Sequence, residues 1–572
     1  MSSNPSQSDE IGYVVGGNLK DTLKIRLTVP PQNIQQGAFV VTESGDWRFF
    51  GLVTNLELGS TDPRFADEQS EQRLPPQLAA LLHGQTLYTN LEMMPALMLP
   101  VAGSAACDAW RDAHDGEDPH PLPVKTIPAH HARVFTANEG DVAEIFGRKE
   151  EKGNFVIGTT LEQGHPICIN LDKFVQRSSG IFGTTGSGKS FLTRMILAGL
   201  INYNKSSVMV FDMHNEYGLD DTASDTNQRI VGLQSKFGRS RVKIVGLGRG
   251  VSIRGQNPDF TLEISEKDIQ PEDIEMLSRE LNLKETTSAT LDALINSLGK
   301  NNWYHEFKSL RVGATEVDEE SGKRVPAADS VAAWANQNGA NPMAAEGLHI
   351  KLGRLFNKSY IVEQPAVDSV QEIIKALENG QHIILSFAEH QSDLDYLLVS
   401  NLLTRRIRAA WEQRTDEFRS KNNNGKEPRP LVIAIEEAHK LLNREMASQT
   451  SFSTIAREMR KYYVTLLIVD QRPSQIYDEV LSQLGTRISA SLGDEDDIHA
   501  VLSGLAGRDT LRGMLAHLQP KEEVLLLGWG VAMPIPVRSR RYDETFWQDL
   551  IGERMQVDRQ NSGSDILKQL GY

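Results

Sequence analysis

The 572-residue sequence predicts an α/β fold: a parallel sheet built around a phosphate-binding loop, headed by a small N-terminal β-barrel and interrupted by a helical insertion. Three observations predict it. Gly183-Thr-Thr-Gly-Ser-Gly-Lys-Ser190 follows a short apolar strand and opens a helical apolar pattern. Continuous apolar runs recur downstream, as expected of strands buried on both faces of a parallel sheet. Before the loop, short β-branched and aromatic runs alternate with Gly, Pro and Asn clusters at roughly 8 to 12 residues, the spacing of a barrel or sandwich.

Along the chain, the runs Ile11–Gly16, Leu23–Val29, Ala38–Thr42 and Trp47–Val53 read as barrel strands, and the polar stretch from Asp108 to Pro123 reads as a surface loop. Gly180-Ile-Phe-Gly183 leads into the glycine loop. Phe191, Leu192, Met195, Ile196 and Leu200 mark the helix after it, and Ser207–Asp212 the next strand. Strand, loop, helix and strand in that order specify a parallel α/β unit. From about 256 to 360 the chain is polar with helical spacing, as in Pro271–Leu281. Buried-strand runs return at His382–Phe387, Leu431–Ile435, Val464–Asp470 and Thr486–Ala490, with a charged, Asn-rich linker from Arg414 to Arg429. The tail reads as short helices with a joint at Ser562–Asp565. The units expected are a barrel at 1–165, the sheet domain in two parts at 166–255 and 361–540, an insertion at 256–360 and a helical tail at 541–572.

Lys and Arg number 60 against 76 Asp and Glu, a net charge of −16, which argues against a protein that coats itself with nucleic acid. It leaves open DNA held in a narrow basic channel, since affinity follows local potential. Two cysteines, Cys107 and Cys168, supply no disulfide framework. The polar, acidic N-terminus lacks the pattern of a secretory signal, and no run reaches the roughly 18 apolar residues of a membrane span. A cytoplasmic protein with no membrane association is the expectation.

Gly183, Gly188, Lys189 and Ser190 match G-x-x-x-x-G-K-[ST]. Glycines let the backbone N–H groups of Thr184, Thr185, Gly186 and Ser187 turn inward around phosphate oxygens without Cβ clashes. Lys189 supplies charge at the β- and γ-phosphates of ATP and Ser190 a hydroxyl for Mg²⁺, while the helix opening at Phe191 directs its positive end at the same anion. Leu431-Val-Ile-Ala-Ile-Glu-Glu437 is an apolar strand ending in two carboxylates, where a parallel sheet places its ligands. There Glu436 suits Mg²⁺ and Glu437 the role of general base toward water. Asp212 and Glu216, at another strand end, suit either the same metal shell or a braced turn. Arg457 and Arg460 stand three apart on one helical face and read either as a solvated basic helix or as donors to a γ-phosphate. Gln471, just past a strand, suits hydrogen bonding to that phosphate.

The ordered set G-T-T-G-S-G-K-S, F-D-M-H-N-E-Y, I-E-E-A-H, A-R-E-M-R-K-Y and D-Q-R-P-S resembles the HerA branch of the HerA–FtsK translocases over about residues 10 to 545. The resemblance implies a RecA-like ATPase core with a barrel of the type that also heads ATP synthase subunits. It implies a homohexamer that pumps double-stranded DNA and acts with a partner nuclease or a defence effector such as a sirtuin-like NAD hydrolase, in DNA repair or anti-phage defence. It further implies Glu437 as catalytic base, Gln471 as sensor, and Arg460, with Arg457 as the alternative, as a finger offered to a neighbouring subunit. Met459 stands where the family usually has Gly, and Glu436 where it usually has Asp. Lys236, Arg239, Arg241 and Lys243, or Arg405, Arg406 and Arg408, are the candidates for DNA phosphate contact. A competing expectation is an ATP-switched scaffold that assembles an effector rather than pumping DNA.

Overall fold

The computed structural model describes residues 9–61, 87–222, 229–284, 286–317, 323–420, 426–446, 450–505 and 507–552. The first unit is a closed antiparallel barrel of six strands: β1 (Glu10–Gly17), β2 (Leu23–Leu27), β3 (Phe39–Ser44), β4 (Trp47–Ser60), β5 (Leu87–Pro100) and β6 (Arg133–Thr136). Strand order is β2-β1-β6-β3-β4-β5, and β5 returns to β2 with Ile25 opposite Leu91, so no edge is left open. Alternation along β2 buries Leu23, Ile25 and Leu27, which meet Val14, Val40, Val53 and Met93 in the barrel interior.

The second unit is a twelve-stranded sheet. Its strands are β7 (Asn154–Thr159), β8 (Pro166–Asn170), β9 (Ser179–Phe182), β10 (Ser207–Asp212), β11 (Val242–Leu247), β12 (Phe260–Leu262), β13 (His382–Ser386), β14 (Leu431–Glu436), β15 (Val464–Asp470), β16 (Thr486–Ser489), β17 (Glu523–Gly528) and β18 (Ile535–Ser539). They lie in the order β12-β11-β13-β10-β14-β15-β9-β16-β17-β18-β7-β8. From β12 to β16 every pairing is parallel, and from β16 onward every pairing is antiparallel. Every residue of β10, β14 and β15 is buried, which explains their unbroken apolar runs. Between β12 and β13 the described residues include helices at Pro271–Met276, Thr287–Leu298, Trp303–Ser309, Val331–Gln337 and Pro342–Phe356. No described helix is long and apolar enough to cross a membrane.

The structure departs from the sequence expectation in several places. The stretch expected as a loop from Asp108 begins inside a helix, Ala105–Ala113, because the Ser104 hydroxyl caps it by accepting the Cys107 N–H. Strand β7, placed in the barrel unit by a boundary at 165, pairs with β18 in the large sheet. The segment expected as a linker from Arg414 continues a helix, Asp393–Ser420, as far as Ser420, because Trp411 and Thr415 are buried and hold that turn to the core. The helix expected over Pro271–Leu281 ends at Met276, and the joint at Ser562–Asp565 lies outside the described residues.

Leu467 sits at the centre of β15 with no exposed surface. Leu467→Ala is expected to cost about 2–5 kcal/mol, read as a lowered thermal unfolding midpoint of the full chain.

Candidate active site

Four parallel neighbours, β10, β14, β15 and β9, end side by side at Asp212, Glu436, Asp470 and Phe182. The glycine loop leaves β9 at this edge and turns into the helix Lys189–Tyr203, here α1. Gly186 and Gly188 take φ of 79° and 92°, the left-handed region that only glycine enters without strain. At Gly188 a Cβ would also stand 3.3 Å from the Lys521 Cα. The loop is tied to the sheet by the Gly183 N–H on the Asp470 carbonyl at 3.3 Å and the Thr184 N–H on the Ser491 carbonyl at 3.2 Å. The Lys521 N–H donates to the Ser187 carbonyl at 3.1 Å, so the approach to β17 braces the loop from outside. Sequence reasoning missed Lys521 because nothing in its local pattern marks it.

Lys189 is the first residue of α1. Burial pulls its ammonium below the ordinary lysine value, while Glu437, Asp470, Glu436 and Glu216 pull it back up. Ser190 and the 39 % exposed Phe191 follow on the same first turn.

Glu436 ends β14 almost wholly buried and accepts a short hydrogen bond from the Tyr217 hydroxyl. Its other oxygen, Oε2, is buried and makes no hydrogen bond among the described residues. Burial, then the charges of Asp212 and Glu216, push the Glu436 carboxyl well above the usual carboxylate range. Asp212 accepts the N–H groups of Glu216 at 2.8 Å and Tyr217 at 3.0 Å, yet burial still raises it to about 6. An anionic pocket with an unpartnered oxygen is the environment that a divalent cation neutralises. Among the described residues no group of three or more His, Cys, Asp or Glu side chains could hold a metal by itself. A magnesium ion shared with nucleotide phosphates needs only one or two protein ligands, which Glu436 and Ser190 fit.

Glu437 follows with φ of 46°, an unusual backbone for a non-glycine residue. Its Oε1 accepts the Gln471 Nε2–H at 3.0 Å, and the Gln471 Oε1 accepts the Thr185 hydroxyl at 2.6 Å. A chain of two hydrogen bonds therefore links the glycine loop to Glu437 through Gln471. The structure thus brings the loop, Lys189, Glu436, Glu437 and Gln471 together.

It treats the arginines differently. Helix Ser451–Glu458, here α2, gives way to a 3-10 turn at Met459–Tyr462, so Arg457 and Arg460 do not share one α-helical face. Met459 is buried in the core, Arg460 is exposed, and Arg457 pairs at the surface with Glu479 at 3.3 Å. The basic residues considered for DNA contact are largely engaged within the fold. Arg405 pairs with Asp273, Arg406 with Asp268, Arg408 with Glu412, Lys236 with Glu544 and Arg239 with Asp259.

Sequence reading also passed over Tyr217, Arg194 and Asp470. Buried Arg194 grips the Glu216 carbonyl from α1 through Nε at 3.0 Å, and fully buried Asp470 receives three N–H donors beside Glu437. Tyr217 and Asp470 lay within quoted motifs, but only the fold shows what they touch.

A family model described as the central domain of helicase HerA matches residues 155–407. The DNA double-strand break repair helicase HerA of Saccharolobus solfataricus is 24% identical over 557 residues, covering 96% of this chain and 96% of that protein. That of Sulfolobus acidocaldarius is 23% identical over 541 residues, covering 93% of each. Among solved structures, VirB4 of Thermoanaerobacter pseudethanolicus aligns with a TM-score of 0.41 and 15% identity over 70% of this chain and 99% of that one.

Two outcomes follow from the geometry. Gly188→Ala places a side chain in the left-handed region against Lys521, at a cost on the order of 1–3 kcal/mol, and is expected to weaken binding of a fluorescent ATP analogue in a titration. Asp212 binds its proton more tightly folded than unfolded, so its charge destabilises the fold as pH rises from about 4 to about 6. Asp212→Asn removes that loss, and its thermal midpoint relative to the parent should be higher at pH 7 than at pH 4.

Proposed function

We infer that this chain, whose residues 155–407 place it in the HerA helicase family, is an ATP-driven motor that acts on double-stranded DNA. The observation that carries the reading is the chain of contacts from Thr185 through Gln471 to Glu437 beside Lys189 and Glu436, on a sequence related end to end to HerA helicases. Lys189 and the inward N–H groups of the loop bind the phosphates of ATP. Ser190 and Glu436 hold Mg²⁺, which when bound neutralises the phosphate oxygens. Glu437 takes the proton of the attacking water, and Gln471 senses the γ-phosphate by exchanging its present partners for it.

A site of this kind works best when a neighbour adds positive charge to the transition state. Exposed Arg460, with Arg457 the alternative, is suited to reach the site of the next subunit in a hexameric ring. The surface pair of Arg457 with Glu479 is weak enough to release it. The helices between β12 and β13 are read as an insertion in the ATPase unit, and a nuclease or defence effector as the partner that the motor serves.

One observation favours a second reading, an ATP-switched scaffold for such an effector. The net charge is −16, and Arg405, Arg406 and Arg408, one of the two basic clusters considered for DNA, are each engaged in an ion pair within the fold.

ATP hydrolysis by the purified chain, with and without linear duplex DNA, separates the two. The motor reading expects stimulation by DNA, abolished by Lys189→Ala through lost nucleotide binding and lowered about 10²–10⁴-fold by Glu437→Gln with nucleotide still bound. Hydrolysis indifferent to DNA would transfer the case to the scaffold.

A further inference from the structure

Two residues that the roles above leave unused, His439 and Asp470, converge on Glu437. Asp470 ends β15 with no exposed surface. Its Oδ2 accepts the His439 backbone N–H at 2.7 Å and the ring Nδ1–H at 3.0 Å, while Oδ1 accepts the Arg472 N–H at 2.7 Å. The ring's Nδ1 also lies 3.8 Å from the Glu437 Oε2. Glu437 is therefore bracketed, with Gln471 on one carboxylate oxygen and His439 beside the other.

Burial alone would lower the imidazole's proton affinity, but the bond to Asp470 and the charges of Asp470 and Glu437 leave it raised, with Lys440 acting in the opposite sense. The same contact holds Asp470 low against its own burial. The positive φ at Glu437 needs support, because a non-glycine residue keeps that conformation only where its surroundings over-determine it. Asp470 supplies it by gripping the chain two residues downstream of Glu437 through both the backbone and the ring of His439.

We propose that Asp470 and His439 form a positioning dyad that fixes the Glu437 carboxylate for proton abstraction from water. The inference rests on Glu437 being the base. His439 touches no reacting atom and acts through Glu437, as outer partners orient a catalytic group elsewhere.

The test measures kcat for ATP and, separately, affinity for a fluorescent ATP analogue, in His439→Ala, His439→Asn and His439→Gln, each made in the parent and in Glu437→Gln. His439→Ala is expected to lower kcat roughly ten- to a hundredfold while nucleotide affinity stays within about twofold, because misplacement of a base costs rate and not binding. Asn places an amide nitrogen where the ring has Nδ1, so His439→Asn should recover most of the rate, whereas His439→Gln, mimicking the far ring nitrogen, should not. In the Glu437→Gln background, the His439 substitutions should leave the residual single-turnover rate unchanged. The dyad is overturned if His439→Ala keeps the parent's kcat, if Asn and Gln behave alike, or if the loss repeats undiminished in Glu437→Gln. It is overturned equally if kcat, nucleotide affinity and thermal midpoint fall together, which marks a folding role. Should Glu437→Gln alone hydrolyse ATP at the parent rate, the base assignment falls, and the dyad with it.

Discussion

The carboxylate of Asp470 ties together the ends of β14 and β15, and through them the loop that leaves β9. A charge with no exposed surface is tolerable only if hydrogen-bond donors surround it. Here two backbone N–H groups and an imidazole do so, while the carbonyl of the same residue receives the Gly183 N–H. One residue thus holds the turn carrying Glu437, the turn carrying Gln471 and the entry to the glycine loop in fixed relation. Those three segments lie far apart in sequence. Their distances from one another are set by the short carboxylate and the main-chain carbonyl of one buried residue rather than by long, flexible side chains.

Around that knot the charge balance is deliberately poor. Asp212, Glu216 and Glu436 crowd one pocket, with Tyr217 shared between them, and burial raises the carboxyls of Asp212 and Glu436. A purely structural core would replace such a group by apolar side chains at little cost or with a gain in stability. Retention of the cluster, with an oxygen of Glu436 left without a partner, makes sense where a cation and phosphates complete the electrostatics. The loop glycines Gly186 and Gly188 take a left-handed backbone on the opposite side, and at Gly188 a side chain would meet Lys521.

Much of this was legible in the residues. The glycine loop, the paired carboxylates after an apolar run and the buried strands announce themselves by composition and period, and each lies where it was expected. What was not legible depends on contacts between distant segments. Val242–Leu247 forms a strand that the basic residues around it disguised, because Lys243 alternates with buried neighbours. The capped helix at Ala105 hid in a polar stretch, since its signal is a single serine. His439 stood in a quoted motif, yet only the pairing of β14 with β15 brings Asp470 beneath it. Arg460 falls in a 3-10 turn that begins just after the helix carrying Arg457, and helical spacing alone could not foresee it.

The fate of the basic residues bears most on how an acidic protein would meet DNA. Phosphate contact requires cations whose charge is not already neutralised. Arg405 and Arg406 on the long helix Asp393–Ser420 reach back to Asp273 and Asp268, and so fasten that helix to the segment that follows β12. Asp273 is fully buried, so freeing Arg405 would strand a charge in the core, at a cost well above that of breaking a surface pair. The exposed cations at Arg457, Arg460 and Lys461 carry no such penalty. These residues lie on the segment between β14 and β15, which enters β15 at Val464, the end of that strand opposite Asp470 and the site.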